Sequence, residues 1–360
     1  MVSSIGTRKR SSLKSATSAS VRARASIKSS AEGAVKRVVI ASPTVAGSGN
    51  SVTAARYSRI LRGLGYRVRV VPSSSNAPEG DLLIALHARK TARLVAEFRR
   101  RFPGRPIVVV LTGTDVYRDL GRSAAADASL KTADAIVTLQ PLAIERIATT
   151  LRKKARAVIQ SARIASKPRS PRRRAYVRLC VLGHLRPEKD PLRAAFALRN
   201  VAREVPVEVV QAGRALDPKY LRQIEKIAAR EPRYRYAGEL SRAAALRLLA
   251  SSDALVLSSR MEGGANVASE AIALGVPVLA SRIDGNVGIL GRGYRGYYDA
   301  GSTRQLAELI EHFARDRTFA RALRAQIAKL RPLVAEKRER DDLRRVVTSA
   351  IRRCRTAAIS

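Results

Sequence analysis

The sequence has few aromatic rings and few residues of the kinds that bind metals. Among its 360 residues there is no tryptophan, and Phe, Trp and Tyr together make up 4%. That is too sparse for the stacking platforms on which single-stranded nucleic acids bind, and no RNA- or DNA-binding motif is visible. No specific nucleic-acid partner is expected. The two cysteines, Cys180 and Cys354, stand far apart and fit no metal-ligand spacing. The three histidines, His87, His184 and His312, are equally scattered. A Cys/His metal centre is therefore not expected, and the reducing cytoplasm is the default compartment. No apolar run approaches the roughly 18 residues of a spanning helix. No apolar segment of signal-peptide type follows the start, so secretion is not expected. A P-loop and a Ser/His/Asp nucleophile signature are also missing.

Acids are scarce too. With 69 Lys and Arg against 29 Asp and Glu, the formal net charge is +40. Such a field favours polyanions of any kind, including nucleic acid, acidic lipid and phosphorylated metabolites, and says nothing about fold. An Arg- and Ala-rich composition has an equally good origin in a GC-rich genome. Residues 1–36 hold ten Ser, eight Lys or Arg and a single acid, Glu32. With no hydrophobic period, they read as a disordered basic tail suited to non-specific polyanion binding.

What is present in quantity is apolar sequence, 46% of the chain, enough for sizeable cores. The length suggests two domains and a tail, at about 150 residues per domain. From Lys36 onward short β-branched runs alternate with helical periods. Residues 37–42 (RVVIAS) form a strand, 43–50 a glycine-containing loop, and 51–64 a helix with Val52, Ala55, Ile60 and Leu64 on one face, stopped at Gly65. A strand at 67–71 completes a βαβ unit. Strands follow at 81–86, 107–111 and 134–139, so a first domain spans 37–165. The Pro- and Arg-rich segment 166–175 is a linker. A second series of strands (176–182, 207–211, 234–237, 254–258, 276–280) alternates with helices and ends in charged helices at 303–314 and 318–353, giving a second domain over 176–360. The expected fold class is α/β, two doubly wound Rossmann-like domains facing across a cleft, with a helical C-terminus. In such sheets ligands bind beyond the carboxyl ends of the strands.

The richest of those ends follows strand 254–258. Glu262 lies in the loop and Glu270, eight positions on, lies one turn inside the next helix. Gly263 and Gly264 allow the backbone to approach a ligand. The free N–H groups at Asn266 and Val267 face an anion. A carboxylate beside such a site accepts two hydrogen bonds from sugar or ribose hydroxyls. After strand 176–182, Arg186 and Lys189 stand three apart in a loop and are placed to neutralise a nucleotide diphosphate. In the first domain, the loop with Gly47, Gly49 and Asn50 offers backbone donors. His87, Arg89 and Lys90 follow strand 81–86, and Asp115 follows strand 107–111. Arg89 and Lys90 read either as anion binders or as solvated charges at a helix start. Asp115 reads either as a holder of a substrate hydroxyl or as a turn cap.

The Glu262–Glu270 element resembles the E-x7-E element of retaining nucleotide-sugar glycosyltransferases with the GT-B fold, and the resemblance spans about 37–350. It implies Glu262 near the transferred sugar, Glu270 on the ribose, and Arg186 with Lys189 on the diphosphate. It implies no metal and no other cofactor. The strings HARK (87–90), TGTDVYRDL (112–120), LQPLA (139–143), GHLRPEKDPLRAA (183–195) and SRMEGGANVASEA (259–271) together resemble the selenosugar synthases of bacterial selenoneine biosynthesis. That resemblance implies a UDP-sugar donor, UDP-N-acetylglucosamine or UDP-glucose, and selenophosphate as acceptor. It implies Glu262, His87 and Asp115 at the reaction centre. It assigns donor binding to Gly47, Gly49, Arg186, Lys189, Gly263, Gly264, Asn266, Val267 and Glu270. Acceptor binding falls to Asn50, Arg89 and Lys90. Two other readings stand beside it: hexose transfer to an oxygen acceptor at the same donor site, and a double α/β scaffold that binds polyanions without catalysis.

Overall fold

The computed structural model describes residues 36–43, 49–164 and 174–357. The expectations for the basic tail, most of the linker and Gly47 lie outside the described residues. Two six-stranded sheets, every strand pair parallel, form two lobes. The first contains β1 (Arg37–Ser42), β2 (Arg67–Pro72), β3 (Leu82–Leu86), β4 (Ile107–Val110), β5 (Ala135–Thr138) and β6 (Ala155–Ala157) in the order β2-β1-β3-β4-β5-β6. The second contains β7 (Val177–Leu182), β8 (Val207–Ala212), β9 (Tyr234–Tyr236), β10 (Ala254–Leu257), β11 (Val278–Ser281) and β12 (Tyr297–Tyr298) in the order β12-β11-β10-β7-β8-β9. The unbroken apolar runs explain the topology. Every residue of β3, β4 and β10 is buried, as strands covered by helices on both faces must be. Each fully buried Val, Leu or Ile contributes about 1.5–3 kcal/mol over an exposed one.

Sequence and structure differ at three places. The helix Gly49–Gly63 turns a face inward that holds Thr53, Ala54, Arg56, Tyr57, Ile60 and Leu61, while Ala55 is exposed. A large ring at Tyr57 sets that register, filling the layer above β1. The expected helical stretch 318–353 divides into the helix Arg317–Leu330, a short 3-10 turn and the helix Glu336–Ala357. That last helix, placed with the second domain by chain order, packs on the first. Leu343, Val346, Val347 and Ala350 share a core with Val38, Ile40, Tyr57 and Val110. The short edge strands β6 and β12 carry too few apolar residues to stand out by period.

Candidate functional site between the lobes

The carboxyl ends of the two sheets face each other, and glycine makes their contact close. Thr112 and Gly113, just beyond β4, lie against Glu262 and Gly263, just beyond β10. A Cβ on Gly263 would stand 2.4 Å from the carbonyl carbon and oxygen of Thr112. A Cβ on Gly264 would stand 2.6 Å from Cβ of Leu139. The glycine pair expected to admit a ligand backbone-close thus also admits the opposite lobe. Polar contacts follow the same seam. Arg118 reaches Glu188 at 3.8 Å, and Arg146 holds Oδ2 of Asp284 through Nη2 at 2.6 Å and Nε at 3.0 Å.

Glu262 is nearly buried, and its Oε1 accepts from Oγ of Ser259 at 2.6 Å and from Nζ of Lys189. The ion pair joins the loop after β7 to the loop after β10, so two of the sequence candidates meet at one atom. Oε2 of Glu262 carries no described hydrogen bond. Arg186 stands at the start of the turn Pro187–Lys189 and keeps a buried Nε with no hydrogen-bond partner. The helix Asn266–Leu274 begins at Ala265, where no side chain caps it, so its first N–H groups face the seam without a capping partner. Val267 is half-buried there. Glu270 lies inside this helix with Nη2 of Arg242 on its Oε1 at 2.9 Å. Burial lifts its carboxyl above the ordinary range, and Arg242 and Arg56 offset part of that rise.

On the first lobe the candidates separate into two kinds. Asp115 is fully buried. Its Oδ1 accepts from the backbone N–H of Thr112 (2.9 Å), Gly113 (2.8 Å) and Val116 (3.2 Å), and its Oδ2 from that of Ala88 (3.0 Å). Of its two sequence readings, the geometry matches the cap, extended to two loops at once. His87 is 1% exposed and holds a left-handed φ of 79°, a conformation uncommon outside glycine. Its Nδ1 receives the Lys90 N–H at 3.4 Å, so Nε2 carries the proton and donates to Oγ1 of Thr114 at 3.0 Å. Burial lowers its pKa despite Asp115 and Asp119 nearby, so the ring is neutral at pH 7. Nε of Arg89 is held by Oδ2 of Asp119 at 2.9 Å. Lys90 is exposed; Gly49 opens the helix Gly49–Gly63 at the surface, and Asn50 is half-buried in its first turn.

Residues 163–330 match the family described as glycosyl transferases, group 1. No curated protein matches the sequence. Solved structures do. HepE of Anabaena in complex with UDP-glucose is 14% identical, with 90% of this chain and 100% of that one covered and a TM-score of 0.65. Sucrose-phosphate synthase of Thermosynechococcus elongatus is 16% identical, with 86% and 98% covered and a TM-score of 0.68. A trehalose-6-phosphate protein of E. coli bound with UDP-2-fluoro glucose is 11% identical, with 87% and 99% covered and a TM-score of 0.67.

The fold is GT-B.

Within this GT-B frame several cleft residues escape a reading by motif. Arg56 is buried, with Nη1 on Oδ1 of Asn266 at 2.8 Å, and joins the first lobe to the N-terminus of the Glu270 helix. Its signal was a lone cation on the inward face of an amphipathic helix. Arg146 and Asp284 line a cavity of about 240 Å³ with Tyr117, Arg260, Met261 and Glu262, and a second of about 540 Å³ with Arg282 and Arg292. In a chain with 69 cations no single arginine stands out. Among the described residues, no group of three or more His, Cys, Asp or Glu side chains is placed to hold a metal ion, and no helix is long and apolar enough to cross a membrane.

Proposed function

We propose that this chain is a glycosyltransferase that moves the hexose of a UDP-sugar, UDP-N-acetylglucosamine or UDP-glucose, onto selenophosphate and so forms a carbon–selenium bond. One observation carries the donor half: Lys189 and Glu262 meet across two strand ends, beside the unpaired Nε of Arg186 and an uncapped helix N-terminus. Three sources of positive potential converge there, which is what a departing nucleoside diphosphate needs. The neighbours that hold UDP or UDP-glucose lend support. Glu270 serves the ribose and Glu262 the sugar. The selenophosphate half rests on the strings at 87–90, 112–120 and 139–143.

Selenium is already a soft nucleophile, so no general base has to take a proton. Its electron pair attacks the anomeric carbon, the bond to the UDP oxygen breaks, and UDP leaves with that bond's electrons. Hydrolysis of the phosphorus–selenium bond by water then gives phosphate and the selenol sugar. In this reading Asp115 and His87 are positioning residues: they fix the loops that meet Glu262. Transfer to an oxygen acceptor is the second reading, favoured by the 540 Å³ cavity beside the seam, which is far larger than selenophosphate requires. Incubation with UDP-sugar and selenophosphate, read by product mass, separates them. A selenosugar with release of UDP is the expected result. UDP release only with a hydroxyl acceptor would overturn selenophosphate as the acceptor.

A further inference from the structure

Tyr117 lies on the π-helical turn Asp115–Asp119, a rare geometry that recurs at functional sites. The hydrogen bonds around it have a defined direction. The Leu142 N–H donates to Oε1 of Gln140 at 2.6 Å, which fixes the amide so that Nε2 faces Tyr117. Nε2 then donates to the Tyr117 hydroxyl at 2.9 Å. The phenol stays protonated, since burial pushes its pKa up to about 12. The hydroxyl oxygen is therefore an acceptor on one side, and its own proton has no acceptor among the described hydrogen bonds. Tyr117 lines the 240 Å³ cavity with Arg146 and Glu262. Arg146 spends Nε and Nη2 on Asp284, while its Nη1 carries no described bond. A free O–H and a free guanidinium edge thus line one cavity together with Glu262.

We propose that Tyr117 and Arg146 form the seat for the anionic, phosphoryl-type end of the acceptor, in place of Arg89 and Lys90. The inference rests on the transferase reading above for its role. The groups named from sequence lie elsewhere: neither Arg89, whose Nε is held by Asp119, nor exposed Lys90 lines this cavity, whereas Tyr117 and Arg146 do. Volume permits it, since one water needs only about 10–15 Å³ of such space and the cavity offers about 240 Å³. Charge permits it as well. Glu262 is paired with Lys189 and Asp284 with Arg146, so an entering anion meets two neutralised carboxylates and binds the remaining Nη1 of Arg146 with Asp284 still in place, Arg260 lining the same cavity.

The test uses the full chain and inorganic phosphate as probe, by calorimetry, with and without UDP. Tyr117→Phe and Arg146→Gln are each expected to weaken phosphate binding about tenfold, the factor for one good charged or polar contact. The KM for selenophosphate should rise in parallel, with UDP affinity unchanged. Phosphate affinity equal to that of the unaltered chain in both variants, or lost instead in Arg89→Gln, would overturn the seat. The two proposals fail separately. If UDP does not bind, the transferase reading falls, and loss of phosphate binding to the UDP-free chain in both variants still upholds an anion seat.

Discussion

The loops beyond β3 and β4 and the loops beyond β7 and β10 face each other across one seam, yet they treat their polar groups oppositely. Around Asp115 and His87 the acceptors are spent inside the protein, while Tyr117 on the same loop keeps its O–H for the cavity. Asp115 takes four backbone N–H groups from two loops, and the His87 ring is bonded at both nitrogens. In the second pair polar capacity is left over. Arg186 keeps an unpartnered Nε, the helix at Asn266 is uncapped, and one oxygen of Glu262 is unused. Buried polar atoms without a partner also occur elsewhere, at Tyr57, Gln160 and Arg174 for instance, so this strand end is set apart by the unpartnered Nε standing with an uncapped helix start and a carboxylate oxygen without a described bond. A fully satisfied knot marks a scaffold.

The largest test of that contrast sets Glu262 against Asp115. Glu262→Gln keeps the shape and removes the charge. Turnover of UDP-sugar is expected to fall about 10²–10³-fold, as on losing one preorganised electrostatic contact, with a stability loss of up to about 3 kcal/mol because Lys189 loses the partner of a largely buried pair. Asp115→Ala orphans four backbone donors, so the stability loss is expected to reach about 3 kcal/mol or more, read by urea unfolding. If instead Asp115→Ala unfolds normally and loses only turnover, the division between scaffold and site is wrong.

This division also explains what could be read from the sequence. The two sheets were legible because parallel strands covered on both faces must be apolar throughout, and runs such as 107–110 and 254–257 have no other use. That Glu262, Lys189 and Arg186 stand at neighbouring strand ends was legible, because each follows such a run directly. Asp115 looked like a site residue for the same reason, and only the count of N–H groups around it shows its role. Arg56, Tyr117 and Arg146 were not legible as site members. Each acts through a partner distant in sequence: Asn266, Gln140 and Asp284. The return of the helix Glu336–Ala357 to the first lobe was hidden likewise, since its apolar face shows that it is covered without showing by what.

A second test asks whether the lobes must touch. Gly263→Ala places a Cβ 2.4 Å from the Thr112 carbonyl, where backbone has to shift. The second lobe remains intact around its own core. UDP affinity is expected to hold within about twofold while turnover drops about tenfold, the cost of a reacting pair held out of line. Equal losses in binding and turnover would mean that the glycine serves the nucleotide and the lobe contact is incidental.

The smallest expected effect concerns His87. Its folded pKa lies below the unfolded value because burial disfavours the imidazolium. Above an unfolded pKa of about 6.5 both states are neutral, and the histidine adds no pH dependence. As pH falls below that point the unfolded chain takes up a proton before the folded one, so stability declines between about pH 6.5 and the lower folded value. His87→Asn removes the titration while tolerating the left-handed backbone. Urea midpoints measured from pH 8 to pH 5 should therefore fall more steeply in the original chain than in the variant. Parallel curves would show that the folded ring takes up its proton as readily as the unfolded one, and the burial argument for His87 would fail.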